Sequence, residues 1–258
     1  MQPDSNEVER GKPSSAGALR RLCESLWRLR CLKNENPGTT AYQRTSRENL
    51  LCGDTATAWT NIEEVSPFVT WAVVAAEDKA FYGHRGISMP GIRRAIRERV
   101  KRGYIVSGGS TITQQLARNL YLDSKVSIHR KVSEMLLAMA IECILSKDRI
   151  LEIYLNICEW GPGIWGIRAA SHNFANKQPG DLSMVEAIYL ASLLAAPKAE
   201  LSGRNYRRMC IKQHEIIRHL RLTERVSDEE FVELTHTICD LQKALRKNPE
   251  RMRRRGRS

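Results

Sequence analysis

The stretch Ala75–Gly86, AAEDKAFYGHRG, sets two adjacent carboxylates, Glu77 and Asp78, at the end of the apolar run Trp71–Ala76. Phe81 and His84 follow at offsets of three or four residues, which is helical spacing. Burial beside apolar side chains disfavours the charged form of a carboxyl group, and that is how a glutamate becomes a proton acceptor or donor near neutral pH. The other reading is the solvated end of a core helix with His84 on the surface. Acids at helix ends are common, so the stretch by itself favours this second reading.

Upstream, Ser66-Pro67 predicts an N-cap followed by proline at the first helical position. Downstream, Gly83 and Gly86 interrupt the helix that spans Trp71–Asp78. Met89–Arg102 reads as a helix with a basic face of Arg93, Arg94, Arg97, Arg99, Lys101 and Arg102. In GGSTITQQLARNLYL (108–122) the two glycines make a turn, and Thr111-x-x-Gln114 predicts a capping box. Ile112, Leu116 and Leu120 form an apolar stripe on the helix that follows, while Thr111, Gln115 and Arg118 share another face. Amide groups at a helix start, with hydroxyl and cationic side chains beside them, suit an oxyanion such as a phosphate. His129–Leu145 is an apolar helix whose first turns carry Arg130, Lys131 and Glu134. Arg130 and Glu134 stand in the weaker cation-before-acid order, so Glu134 is a candidate second functional carboxylate beside the reading as a surface ion pair.

Further helices are predicted over Lys147–Ile157, Arg168–Asn176, Glu186–Ala196 and Tyr206–Arg221, with a last one capped by Ser227-x-x-Glu230. EWGPGIWGI (159–167) reads as turn-rich. No strand alternation exceeds a few residues, and the expected domain is all-α.

At 258 residues with 41 Lys+Arg against 29 Asp+Glu, the chain carries a net charge of +12, which favours an anionic partner. Aromatic residues make up 6%, and no nucleic-acid module is recognisable, so no nucleic acid is expected as partner. Seven cysteines without a CxxC pair suggest neither a zinc site nor a disulfide framework, and Cys143 and Cys158 read as core residues. No window approaches the ~20 apolar residues that span a bilayer, and the N-terminus lacks a signal peptide's apolar region. Residues 15–33 form a short basic amphipathic helix that suits either a membrane interface or its own domain. The organisation read from this is 1–60 as polar segment, basic helix and linker, 61–200 as the domain, and 201–258 as C-terminal helices with a polybasic tail.

Together, EDKAFYGHRG (77–86), GGSTITQQLARN (108–119), RKVSE (130–134) and KDRILEIYLN (147–156) resemble the peptidoglycan glycosyltransferases of family 51, in particular the single-domain monofunctional members. EWGPGIWGIRAA (159–170) and LSMVEAIYLASLLAAP (182–197) extend the resemblance, which covers about 66–197. Four ordered blocks reverse the bland reading of Ala75–Gly86.

The resemblance implies a mainly α, lysozyme-like fold with a membrane-proximal lobe, here with basic N- and C-terminal extensions. It implies polymerisation of lipid II into β-1,4 glycan strands with inversion, undecaprenyl pyrophosphate being the leaving group. By resemblance Glu77 is the general base on the acceptor's 4-hydroxyl, and Asp78, Phe81 and His84 shape its site. Ser110, Thr111, Gln115, Arg118, Asn119, Arg130 and Lys131 would line the pocket for the donor's pyrophosphate. Glu134 would assist the leaving group directly or through a divalent cation (Mg or Mn), and Tyr154 and Asn156 would support the site. The implied partners are lipid II, the growing strand, an anionic membrane surface and other cell wall synthesis or division proteins. The implied location is the outer, periplasmic face of the cytoplasmic membrane. Inverting transfer needs this inventory: a base on the acceptor face and charge stabilisation on the other.

This chain departs from the family pattern in three places. Arg118 stands where the family commonly has lysine, replacing a point charge by a planar fork. The segment after Pro197 is shortened to KAELSGRNYRRM, and the family's N-terminal transmembrane helix is missing: either the basic helix 15–33 replaces it, or the start is mis-assigned, or the chain works in an unusual compartment. Two other readings compete: a lysozyme-like hydrolase or lytic enzyme, which leaves STITQQ and RKVSE unexplained, and a non-catalytic membrane-surface or nucleic-acid-binding basic protein that kept the fold, which predicts loss of the acids.

Overall fold

The computed structural model describes residues 29–38, 59–93, 97, 109–122, 128–195, 197 and 203–247. The helices delimited among them are α1 (Pro67–Glu77), α2 (Ile112–Tyr121), α3 (Ile128–Ile144), α4 (Lys147–Ile157), α5 (Gly166–Ala175), α6 (Met184–Leu193), α7 (Gly203–Leu222) and α8 (Asp228–Lys247). Residues 1–28, Gly108, the basic face at Arg94, Arg99, Lys101 and Arg102, and the tail beyond 247 lie outside the described residues.

Two helical groups meet along a seam. α1 is wedged between α6 and α7, and α8 lies along α7. α2 rests on α3 and α4, while α5 joins α4 to α6. The grouping follows from side chains. α1 buries Val69, Ala72, Val73, Ala75 and Ala76, and a helix apolar on most sides belongs inside. α6 answers it with the buried Ala187, Ile188, Leu190 and Ala191, and alanines on both helices let the backbones approach. α2 is amphipathic, and Ile112, Leu116 and Leu120 are the side it buries, as expected. Met209, Ile216, Ile217 and Leu220 of α7 and Ile238 and Leu245 of α8 share this same core.

The capping boxes at Thr111/Gln114 and Ser227/Glu230 form as expected, and Ser183/Glu186 adds a third that starts α6 two residues earlier than predicted. Ser66 stands at the expected position but does different chemistry. Its hydroxyl donates to the Leu182 carbonyl (2.9 Å) and its N–H to the Pro179 carbonyl (3.1 Å), so it fastens α1 to the approach of α6.

Other expectations change. α1 stops at Glu77; Asp78 leaves the helix at φ −154°, ψ 78°, and Phe81–Gly83 is a 3-10 turn rather than continued α-helix. EWGPGIWGI contains a two-stranded antiparallel ribbon, β1 (Glu159–Gly161) and β2 (Ile164–Trp165). Pro162 presets the turn and Gly163 supplies its positive φ of 71°. The class stays mainly α. Cys158 is buried as predicted, but Cys143 is exposed, on the outer side of α3.

The end of the N-terminal basic helix is docked on the domain. Leu29 and Leu32 are core residues. Arg149 of α4 donates to the carbonyls of Leu32 and Glu35 (both 2.8 Å) and to Asn36 Oδ1 (2.9 Å). The end of the expected linker is fastened too. Asn156 Oδ1 accepts from the Thr60 N–H (2.9 Å) and its Nδ2 donates to the Thr60 carbonyl (2.8 Å).

Candidate active site

Glu77 ends α1 at the seam between the two helical groups. Its Oε2 accepts a hydrogen bond from Gln115 Nε2 on α2 (2.8 Å). Gln115 Oε1 in turn accepts from the Tyr154 hydroxyl on α4 (3.2 Å), which fixes which way the amide points. Tyr154 is fully buried; burial first, then the nearby Glu77 carboxylate, push its pKa well above the usual phenol value. It therefore stays a neutral donor, and Glu77 keeps a defined orientation without being sealed from solvent.

Asp78 points the other way. Its Oδ2 accepts from the Ile112 N–H at the start of α2 (3.1 Å) and lies 2.9 Å from His84 Nε2. Asp78 thus pins the end of α1 to the start of α2, and this explains its non-helical backbone. His84 Nδ1 is buried with no hydrogen-bond partner among the described residues. Phe81 is fully buried, so it shapes the site from beneath. Gly86 closes the loop: its carbonyl accepts from Thr111 Oγ1 (2.7 Å), and at φ 86° its backbone rests on Ala138 of α3.

The start of α2 corrects the oxyanion expectation. The Thr111 N–H donates to Gln114 Oε1, the Ile112 N–H to Asp78 and the Gln114 N–H to Thr111 Oγ1. These amides are taken by the protein and do not face a ligand. Thr111 and Asn119 are buried, which separates them from the half-exposed Gln115 and Arg118. Gln115 stands with Glu77 rather than with Ser110 and Lys131.

The positive charge lies instead at the N-terminal end of α2. Lys131 Nζ donates to Ser110 Oγ (2.8 Å) and to Glu134 Oε1 (2.5 Å), and Arg130 Nη1 stands 3.9 Å from Glu134 Oε2. Glu134 is 1% exposed, so the expected surface pair is a buried carboxylate between two cations. Breaking such a pair leaves an uncompensated buried charge. Arg118 lies one turn beyond Gln115, close enough to Tyr154 for its charge to be felt there. Ser110, which meets Lys131, directly precedes Thr111, and the four steps from Thr111 to Gln115 rise about 6 Å along α2 to the Glu77 contact.

These residues do not fit a resident divalent cation. Both Glu134 oxygens face cationic side chains, and no group of three metal-ligating side chains occurs among the described residues.

α4 explains why KDRILEIYLN is dense in polar residues. Tyr154 holds Gln115, Asn156 holds Thr60, and Arg149 holds residues 32–36. Glu152, which the motif reading missed, accepts from Trp59 Nε1 and the Ile62 N–H (both 3.0 Å) and pairs with Arg149. Lys147 and Glu142 were missed as well. Glu142 is an acid inside an apolar run, and that was the available signal.

A model described as Transglycosylase matches residues 45–221. A biosynthetic peptidoglycan transglycosylase of Methylobacillus flagellatus is 36% identical over 193 residues, covering 73% of this chain and 84% of the relative. One from Thiobacillus denitrificans is 40% identical over 169 residues, covering 64% and 73% respectively. A third, from Chromobacterium violaceum, is 35% identical over 210 residues, covering 79% and 92%. The matched segment contains every residue of the seam between Glu77 and Glu134, and the chain belongs to the transglycosylase family.

Proposed function

We propose that this protein is a peptidoglycan glycosyltransferase that polymerises lipid II into β-1,4 glycan strands and releases undecaprenyl pyrophosphate. The observation that carries the reading is the pairing of an oriented, partly accessible carboxylate, Glu77, with a cationic cluster about one turn of α2 away. Glu77 takes the proton from the acceptor's 4-hydroxyl as that oxygen attacks C1 of the donor. The pyrophosphate leaves towards Lys131, Arg130 and Arg118, whose charges meet the negative charge that develops on it. Glu134 acts by holding Lys131 and Arg130 in place, since its own oxygens are engaged with them. A divalent ion that enters does so with the pyrophosphate, as part of the substrate.

Peptidoglycan synthesis places this work in the cell envelope. The membrane face we assign is α3, where Val132, Leu136 and Met139 are 51%, 58% and 39% exposed at helical spacing. Met89, also exposed, follows three residues after Gly86, which rests on Ala138 and Met139. Exposed Arg93 and Arg97 come next in the chain and suit anionic headgroups. No helix among the described residues is long and apolar enough to cross a membrane.

The test is purified protein given lipid II in detergent or vesicles. Glycan strands and undecaprenyl pyrophosphate are expected. Cleavage of finished glycan with lipid II left intact would instead establish the hydrolase reading.

A further inference from the structure

The site has a floor that the catalytic reading does not use. Lys147, the first residue of α4, donates from Nζ to the His84 carbonyl (2.7 Å) and to Glu142 Oε1 on α3 (2.6 Å). The same ammonium stands 4.5 Å from the centre of the Phe81 ring. Glu142 Oε1 also accepts from Thr113 Oγ1 on α2 (2.6 Å). The Glu142 side chain is 4% exposed and that of Lys147 is 21% exposed. One partly buried ion pair therefore touches the loop after Glu77, the first turn of α2, α3 and α4.

We infer that Lys147 and Glu142 are positioning residues, which set the base side of the site against the cationic side. The connection runs in both directions from the pair. Towards the base, Lys147 holds the His84 carbonyl and the face of Phe81, the His84 ring meets Asp78, and Asp78 adjoins Glu77. Towards the cations, Glu142 holds Thr113, the residue after Ile112, whose N–H is bound by the same Asp78 oxygen. Three residues before Thr113, Ser110 accepts from Lys131. Asp78 and Glu77 already join the end of α1 to α2, and the pair braces the loop that follows them against α2, α3 and α4. A polar pair costs desolvation that an apolar pair of the same size does not, so stability alone gives little reason for it here.

This inference rests on the glycosyltransferase reading for its kinetic consequence but not for its structural one. The test compares wild type with Lys147→Met, Glu142→Leu and the double variant Lys147→Met/Glu142→Leu. The double variant removes both charges, so no charge is left unpaired; the Thr113 hydroxyl and the His84 carbonyl, both neutral, each lose a hydrogen-bond partner, a smaller loss that the fold survives. Two quantities are read: amide hydrogen exchange of residues 78–86, and kcat and KM for lipid II. The expected result is a folded double variant whose thermal midpoint falls less than that of either single variant, because neither charge is left without its partner. Exchange across 78–86 should be at least tenfold faster, and kcat should be lowered about 10- to 100-fold, as expected for sub-ångström misplacement of reacting groups, with KM within about twofold. Wild-type exchange and wild-type kcat in a folded double variant would overturn the inference. So would a kcat loss that tracks the thermal midpoint and disappears on cooling, since that is a stability effect. If wild type makes no glycan, the polymerase reading fails, and the exchange measurement still decides the role of the pair.

Discussion

Gly86→Ala tests how the loop after Glu77 is seated. At this position φ is 86°, and an added Cβ would lie 2.7 Å from the Ala138 carbonyl oxygen and 3.0 Å from the Met139 nitrogen. The obstacle is the backbone of α3, not the tip of a side chain that can swing away. The left-handed backbone costs a non-glycine residue roughly 1–2 kcal/mol. Forcing a methyl into packed structure costs a further ~1–3 kcal/mol, for a total of about 2–5 kcal/mol. At roughly 2–4 °C per kcal/mol for a domain of this size, the thermal midpoint falls by about 4–20 °C. The loop must also move, and with it the Gly86 carbonyl that accepts from Thr111, so the polymerisation rate falls even at temperatures where the variant is folded. The control is Gly83→Ala, where a Cβ meets nothing within 4 Å. That change leaves stability within about 1 kcal/mol of wild type, so the midpoint stays within roughly 4 °C of wild type. Thermal unfolding followed by circular dichroism is the assay. A Gly86→Ala midpoint equal to that of Gly83→Ala would refute the account of the loop.

Three further outcomes follow from the geometry. Glu134→Gln releases Lys131 and Arg130 and lowers the lipid II polymerisation rate by about 100-fold, the scale of losing preorganised charge stabilisation; a near-normal rate would make the Glu134 cluster purely structural. Gln115→Leu removes the bond to Glu77 and strands the buried Tyr154 hydroxyl, costing about 1–3 kcal/mol of stability. Adding Tyr154→Phe should restore stability but not rate, as read by denaturant unfolding and single-turnover kinetics. Leu136→Asp on α3 should weaken cosedimentation with anionic vesicles by about tenfold or more, the scale of one buried leucine, while Val74→Ile within the core should not.

The legible parts of this protein were local. Helix positions, the capping boxes at Thr111 and Ser227 and the apolar stripe of α2 depend on residues three or four apart, and the sequence displays those directly. The motif blocks, through their resemblance to the family, led to the expectation of one site for Glu77 and Glu134, and both lie within the matched segment. What stayed hidden depends on contacts between distant segments. Nothing near Asp78 announces that its carboxylate turns to the Ile112 N–H, 34 residues on, and thereby ends α1. The amides at the start of α2 look available until Asp78 and Thr111 occupy them. Gln115 sits on the helix face expected for phosphate binding, yet the partner that decides its role, Glu77, comes from the other helical group. Glu142 and Cys143 are neighbours in one apolar run, yet the Glu142 side chain is covered beside Lys147 and Cys143 is exposed. The end of the basic helix could not be assigned to membrane or domain until Arg149 was seen to hold it.

The central claim is that Glu77 is the base and that the cationic cluster works independently of it. The most direct measurement is lipid II polymerisation by Glu77→Gln, with binding of a phosphoglycolipid inhibitor of the family measured on the same sample. Polymerisation should fall by roughly 100- to 10,000-fold, the range for losing a general base, while inhibitor binding stays within a few-fold of wild type. Polymer made at a rate comparable to wild type would contradict the account.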